Sequence, residues 1–270
     1  MGKNLLVITG AGGFLGRGLI DALGKYYRLR LVDIRDFSSA HEKRIGDVAD
    51  PDFCLEILKD ADLLLVAHMS QRPCETPFGP FNSNVTGTAN LLYAAVENGV
   101  KRACVVSSVD AVHGEVRLNG RKHAPELRPS AVDIYSATKA CQEIVSEAFN
   151  RKYGIEVAAL RIGYVVDCDH LVNKYGARLE KTDPGMIDPV DCGEAIAKIL
   201  ELPAFGYRVW YLYSVCDDAT AEGFPARQEL GWLPKHHAIH GAAVQGGRKA
   251  ARQIRKTAET VGGVDSNRAI

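Results

Sequence analysis

Residues 5–16 read Leu-Leu-Val-Ile-Thr-Gly-Ala-Gly-Gly-Phe-Leu-Gly, an apolar run of strand character that breaks directly into glycines at 10, 13 and 16. Such a chain must turn tightly after the strand, bring backbone amides to one point and pack a new helix closely against the strand it has left. Glycine serves all three needs, and the helix N-terminus adds the positive end of a dipole. The spacing is Gly-x-x-Gly-x-x-Gly, not Gly-x-Gly-x-x-Gly. It makes Gly10, Gly13, Phe14, Leu15 and Gly16 candidate contacts for a pyrophosphate.

Beyond this turn, apolar runs at 5–9, 29–33, 63–67, 103–107 and 157–161 alternate with periodic segments at about 14–24, 51–58, 82–98 and 133–153. The alternation predicts an α/β protein, a Rossmann-like doubly wound parallel sheet with helices on both faces. Residues 1–165 form the dinucleotide-binding domain in this reading, completed by parts of 188–215, where a helix at 190–201 and a strand at 208–213 are expected. Residues 162–187 are rich in turn formers and charges, so 166–270 reads as a small substrate-binding lobe with a C-terminal tail. The basic run from Arg248 to Lys256 reads as a solvated surface helix.

Asp33 ends the second strand, 23 residues after Gly10. A carboxylate there accepts bonds from ribose hydroxyls and repels a 2′-phosphate, which favours NAD over NADP; Arg35 is the residue that could pair with such a phosphate. Asp47, followed by Val48, is placed to meet the adenine edge if its loop folds back. In the helix at 133–153, Ile134, Ala137, Cys141, Ile144, Val145 and Ala148 keep the i, i+3, i+4, i+7 spacing of a buried stripe. Gly154 stops that helix. Tyr135 and Lys139 lie off the stripe, four apart and on one face. A neighbouring ammonium favours the phenolate of a tyrosine whose ordinary pKa is ~10, so the pair can move a proton to or from an alcohol.

Lysine plus arginine and aspartate plus glutamate both number 33, which gives no support for a nucleic-acid or anionic-membrane partner. Apolar stretches fall far short of the ~20 residues of a membrane span. The N-terminus runs straight into a strand, so no secretory leader is expected. Cys54, Cys74, Cys104, Cys141, Cys168, Cys192 and Cys216 are scattered without Cys-x-x-Cys spacing. They predict reduced thiols in a cytoplasmic protein with no zinc site. Cys141 and Cys192 read as packing residues.

Four ordered motifs together resemble the extended short-chain dehydrogenase/reductase superfamily, the NAD-dependent sugar epimerases, dehydratases and dehydrogenases. They are Thr9 to Gly16, Gly46-Asp47-Val48, Asn84 to Leu92, and Tyr135-Ser136-Ala137-Thr138-Lys139. The resemblance covers residues 5 to about 165 and, more loosely, extends to about 235. It implies that Tyr135 is the general acid/base and that Lys139 binds the nicotinamide ribose and lowers the tyrosine pKa. Asn84 would hold the active-site helix and its waters. Ala67 and His68 would line the cofactor, His68 as a structural or lining residue and not a base.

The family's serine or threonine stands five residues before the glycine of a Tyr-Gly pair, where this chain has Val109, and His113 replaces the tyrosine. A one-residue difference in loop length brings Ser108 into place as the third catalytic residue, with Ser107 as the fallback and a cofactor contact. Asp110 is followed by Ala111, which argues against a 4,6-dehydratase. Among short members the chain is most similar to uronate and aldose dehydrogenases, in Ala159 to Gly163, Asp188 to Ile196 and Leu230 to Pro234. It departs from the uronate pattern at Tyr164, and the later cations Lys174 and Arg178 are spaced differently. The expected activity is NAD-dependent oxidation of a hydroxyl of a small sugar or sugar acid. The alternatives are a nucleotide-sugar (UDP-sugar) epimerase and a non-catalytic dinucleotide-binding redox sensor. The resemblance also implies a homodimer through the helices at 82–98 and 133–153.

Overall fold

Every side chain of the first strand, β1 (Leu5–Thr9), is buried, and its two faces feed two separate cores. The computed structural model describes residues 3–70, 76–120, 123–215 and 226–236. The chain continues through α1 (Phe14–Leu23), β2 (Arg28–Asp33), β3 (Glu42–Ile45), α2 (Pro51–Ile57), β4 (Leu63–Val66), α3 (Phe78–Pro80) and a π-helical turn at Phe81–Thr86. It then forms α4 (Gly87–Glu97), β5 (Arg102–Ser108), a 3₁₀ turn at Val109–Val112, a π-helical turn at Gly114–Leu118, α5 (Ile134–Tyr153) and β6 (Glu156–Ile162). β7 (Tyr164–Asp167), β8 (Val172–Asn173), β9 (Met186–Ile187), α6 (Pro189–Glu201), β10 (Tyr207–Leu212) and a short helix at Ala226–Glu229 complete it.

Seven parallel strands stand in the order β10-β6-β5-β4-β1-β2-β3. Leu6 and Ile8 of β1 join Leu19, Leu23, Ile196 and Ile199 on one face, from α1 and α6. Val7 joins Cys54, Ile57, Leu91 and Leu92 on the other, from α2 and α4. Alternate residues serve opposite cores because the strand period is two, and both faces of a parallel sheet are covered. The strand order reverses between β1 and β4, where Thr9 pairs with Val66, and ligands of such sheets bind at this crevice.

The expected strands and helices lie within a residue or two of those observed, and β10 returns to the main sheet. The expected helix at 82–98 begins as a π-helical turn. β3 was not expected: Glu-Lys-Arg-Ile carries no apolar alternation, and charged residues of this kind are what a sheet edge tolerates. The segment read as loops contains a second, three-stranded sheet, β8-β7-β9. The basic run 248–256 lies outside the described residues.

The expectation for α5 is overturned. Most of its apolar stripe does not face the core: Ile134 is 37% and Ile144 57% exposed, Ala148 is exposed, Ala137 and Cys141 are half-buried, and half-buried Val145 packs against the second core. The buried face carries Ser136, Thr138, Lys139, Gln142, Glu143 and Ser146. Lys139 is therefore an interior residue at 2% exposure. Periodicity finds a stripe but not the side it faces, and here most of the polar groups meet partners inside, Gln142 Oε1 being the buried atom left without one. Thr138 accepts from Asn84 and Gln142 donates to Thr88, both within 3 Å. Asp133 caps the helix by a reciprocal exchange with Ser136, and the helix ends at Gly154 as expected.

The last described segment is tied down by its own charges. Asp191, 1% exposed, accepts the backbone N–H groups of Lys235 and His236. The His236 ring stands between two carboxylates, Nδ1 3.1 Å from Asp191 Oδ2 and Nε2 2.9 Å from Asp169 Oδ1. Carboxylate oxygens accept, so both nitrogens donate only in the imidazolium. Burial opposes that charge, but Asp188 and Asp191 outweigh it and the pKa is raised. A raised folded-state pKa gives stability that is complete below the unfolded value near 6.5 and is lost as pH rises through the folded value. The melting temperature of the native chain minus that of His236→Gln should thus be largest near pH 6 and shrink toward alkaline pH. A difference that grows with pH would rule the latch out.

Candidate active site

The glycine turn follows β1 at the crevice. Gly10 has φ +71°, its carbonyl accepts from Gly13 N at 3.1 Å, and Ala11 N donates to Val32 O. A Cβ on Gly16 would stand 2.5 Å from the carbonyl oxygens of both Gly10 and Ala11, so α1 starts where only glycine fits. Phe14 and Leu15 open that helix and pack on the first core. Asp33, at the end of β2, accepts from Gly12 N at 3.0 Å and from Arg35 N at 3.1 Å. The carboxylate expected to meet a ribose thus also fixes the glycine turn. A cradle without room for Cβ, at a helix N-terminus and beside a carboxylate, fits a dinucleotide.

Across the crevice, Ala67 and His68 follow β4. Thr9 Oγ1 accepts from Ala67 N at 3.2 Å and meets His68 Nδ1 at 2.8 Å, while His68 Nε2 stands 2.9 Å from Ser83 O. A carbonyl can only accept, so Nε2 carries the proton and Nδ1 accepts from the Thr9 hydroxyl. Burial, with the Lys139 charge adding to it, pushes the imidazole pKa down to about 4. The ring is neutral, with both nitrogens engaged. Asn84, fully buried in the π-helical turn, accepts from Ser70 N at 2.8 Å and donates to Thr138 Oγ1 at 2.9 Å. It therefore ties the loop after β4 to α5. Asp47 is exposed and caps its own turn through Ala49 N, and Val48 is buried with its carbonyl held by Asn90.

The third part of the site joins α5 to the carboxyl end of β5. Lys139 Nζ donates to Val106 O at 2.8 Å and stands 5.9 Å from the centre of the Tyr135 ring. Ser107 Oγ donates to Glu143 Oε1 at 2.6 Å. Ser108 lies one residue further on, 7% exposed, and its Oγ accepts from Asp110 N at 3.1 Å, capping the 3₁₀ turn. Asp110 pairs with His113 at 2.9 Å.

Of the later cations, Lys174 lies 5.3 Å from the Tyr175 ring in the turn after β8, and Arg178 is exposed and bridges to Val172 of that strand. Three buried residues among these contacts carried no assigned role in the sequence reading: Thr9 and Thr138, which stand inside the ordered motifs, and Glu143. Glu143 carried a signal, because it continues the four-residue spacing of Tyr135 and Lys139.

The profile of the family described as "NAD dependent epimerase/dehydratase family" matches residues 6–178, more than half of the chain. A uronate dehydrogenase of Pseudomonas syringae pv. tomato is 33% identical over 168 residues, 59% of this chain and 59% of that relative. An NAD-dependent glucose-6-phosphate dehydrogenase of Haloferax volcanii is 26% identical over 254 residues, covering 85% of this chain and 92% of the relative. The crystal structure of uronate dehydrogenase from Agrobacterium tumefaciens superposes with a TM-score of 0.67 at 21% identity, covering 100% of this chain and 94% of that one, a likeness of fold. The glycine turn, Asp33 and the helix of Tyr135 and Lys139 all fall inside the matched span, and the chain belongs to the NAD dependent epimerase/dehydratase family.

Proposed function

We propose that this chain is an NAD-dependent dehydrogenase that oxidises a hydroxyl of a small sugar or sugar acid. The observation that carries the reading is the buried Lys139, anchored on Val106 O beside the Tyr135 ring at the carboxyl end of the sheet. Bound NAD supplies the hydride acceptor. Gly10, Gly13 and Gly16 would hold its pyrophosphate and Asp33 its ribose hydroxyls. Tyr135 takes the hydroxyl proton of the substrate, and Lys139 keeps the phenolate accessible. Ser108 orients the reacting oxygen. Ser107 is less suited, because its hydroxyl proton already lies on Glu143.

A sugar or sugar-acid substrate is supported by the names of the similar proteins, uronate and glucose-6-phosphate dehydrogenases. Residues 166–270, apart from the parts of 188–215 that complete the main sheet and its core, serve as the small substrate lobe and tail. A panel of aldoses, aldose phosphates and uronic acids with NAD, followed by NADH absorbance, tests the reading. Epimerisation of a UDP-sugar without net NADH would replace it with the epimerase. NAD binding with neither reaction would leave the redox sensor.

The same reading includes a cytoplasmic homodimer. No helix among the described residues is long and apolar enough to cross a membrane, and Cys54, Cys104, Cys141, Cys168 and Cys192 are free thiols. The outward stripe of α5 with Tyr93 of α4, 44% exposed, gives a second copy an apolar face to cover. Ile144→Glu places a charge in that face and is expected to shift the chain to monomer in sedimentation. An unchanged mass would place the contact elsewhere or remove it.

A further inference from the structure

Tyr135, Lys139 and Glu143 descend one face of α5 at four-residue intervals onto the end of β5. Lys139 binds Val106 O and Glu143 accepts from Ser107 Oγ, so the ammonium and the carboxylate sit on adjacent residues of one strand. Arg161 of β6 closes on the same carboxylate at two points, Nε to Oε1 at 2.9 Å and Nη2 to Oε2 at 2.7 Å. Both side chains of this pair are 1% exposed. The other Arg161 donors reach Tyr211 Oη at 3.0 Å and Leu127 O at 2.8 Å. Burial works against the guanidinium, but Glu143 more than offsets it and the pKa is raised, so Arg161 stays a cation.

A buried ion pair adds little stability over a well-packed apolar one, which leaves its charge balance to be explained. We infer that Glu143 is a positioning residue that cancels the Arg161 charge one helical turn from Lys139, so that the field reaching Tyr135 from this side is that of Lys139. The inference rests on Tyr135 being the proton acceptor proposed above. Removing one member leaves a net charge on the order of 10 Å from the phenol. At that range a partly buried charge moves a titration by about half to one pH unit.

Glu143 or Arg161 also acts on the titration of Tyr207, Tyr211 and His123, so the readout is confined to the assigned Tyr135 resonance. Burial pushes the Tyr207 and Tyr211 phenols of β10 up, so both are neutral, and it pushes His123 and His68 down. Asp110 is paired with His113, and Glu147 with Arg151 and Arg128 at the surface.

The test follows the Tyr135 resonance in the full chain labelled with ¹³Cζ-tyrosine, without cofactor or substrate, identified by its loss in Tyr135→Phe. Glu143→Gln leaves Arg161 uncompensated, which favours the phenolate, and the midpoint should fall by about half to one pH unit. Arg161→Gln leaves Glu143 uncompensated, and the midpoint should rise by a similar amount. The double variant should return it to the native position. The two singles have opposite signs, so whichever of them folds suffices. A folded single with an unmoved midpoint, or two singles that move it in the same direction, would overturn the inference. The titration needs no turnover, so failure of the sugar panel bears on the proposed reaction and a fixed midpoint bears on Glu143.

Discussion

Tyr135→Phe should lower kcat by about 10²- to 10⁴-fold, the usual worth of a positioned general base, while NAD affinity stays within a few-fold of native. The substitution removes one oxygen from a half-buried ring and leaves the ring's packing and the charge beside it in place. Lys139 remains anchored on Val106 O, and Asn84 still holds Thr138, so α5 keeps its seat. The cradle around Gly10 and Gly16 and the carboxylate of Asp33 lie across the sheet on other elements and are untouched. The loss should therefore fall on kcat, with KM and the NAD dissociation constant close to native, because an interaction with the reacting proton matters most in the transition state. Steady-state kinetics on the best substrate of the panel and direct NAD titration check the two halves separately. A variant with near-native kcat would remove Tyr135 from the proton transfer, and with it the proposed mechanism.

The frame of this fold was legible because its signals are local. β1 and the glycine turn are set by residues 5–16 alone, and β4, β5 and β6 are short apolar runs bounded by turn formers. β3 escaped because an edge strand needs no apolar alternation, and its Glu42 is matched instead to Arg30 on β2. The inverted face of α5 escaped for a different reason. Ile134 and Ile144 mark a stripe as surely as a core would, but the polar side wins the interior through partners on four other segments: Asn84, Thr88, Ser107 and Arg161. Those pairings are 18 to 54 residues apart in sequence, beyond the reach of any periodicity. In the site, Tyr135 and Lys139 announce themselves by spacing. The choice between Ser107 and Ser108 depends on which hydroxyl Glu143 has already engaged, and only the folded chain carries that.

Gly10→Ala should weaken NAD binding by about tenfold or more and destabilise the chain by about 2–5 kcal/mol. Two effects add. The left-handed φ of +71° costs an L-residue about 1–2 kcal/mol. The new Cβ would also stand 2.6 Å from His68 Cα, 2.7 Å from His68 N and 2.8 Å from Ala67 C, all backbone atoms that no rotamer change can move aside. Crowding of that kind costs about 1–3 kcal/mol. Relief requires the turn after β1 to lift away from the end of β4, and that displaces the amides proposed above to hold the pyrophosphate. Gly99→Ala supplies the control. Gly99 has nearly the same φ, +77°, but open space around its Cβ, so it carries the conformational cost without the clash. Thermal melts of both variants separate the two effects, and NAD titration reads the function. Gly99→Ala should bind NAD as the native chain does. If Gly10→Ala also did so, with a loss of melting temperature no larger than that of Gly99→Ala, the glycine turn would not be the cofactor's cradle.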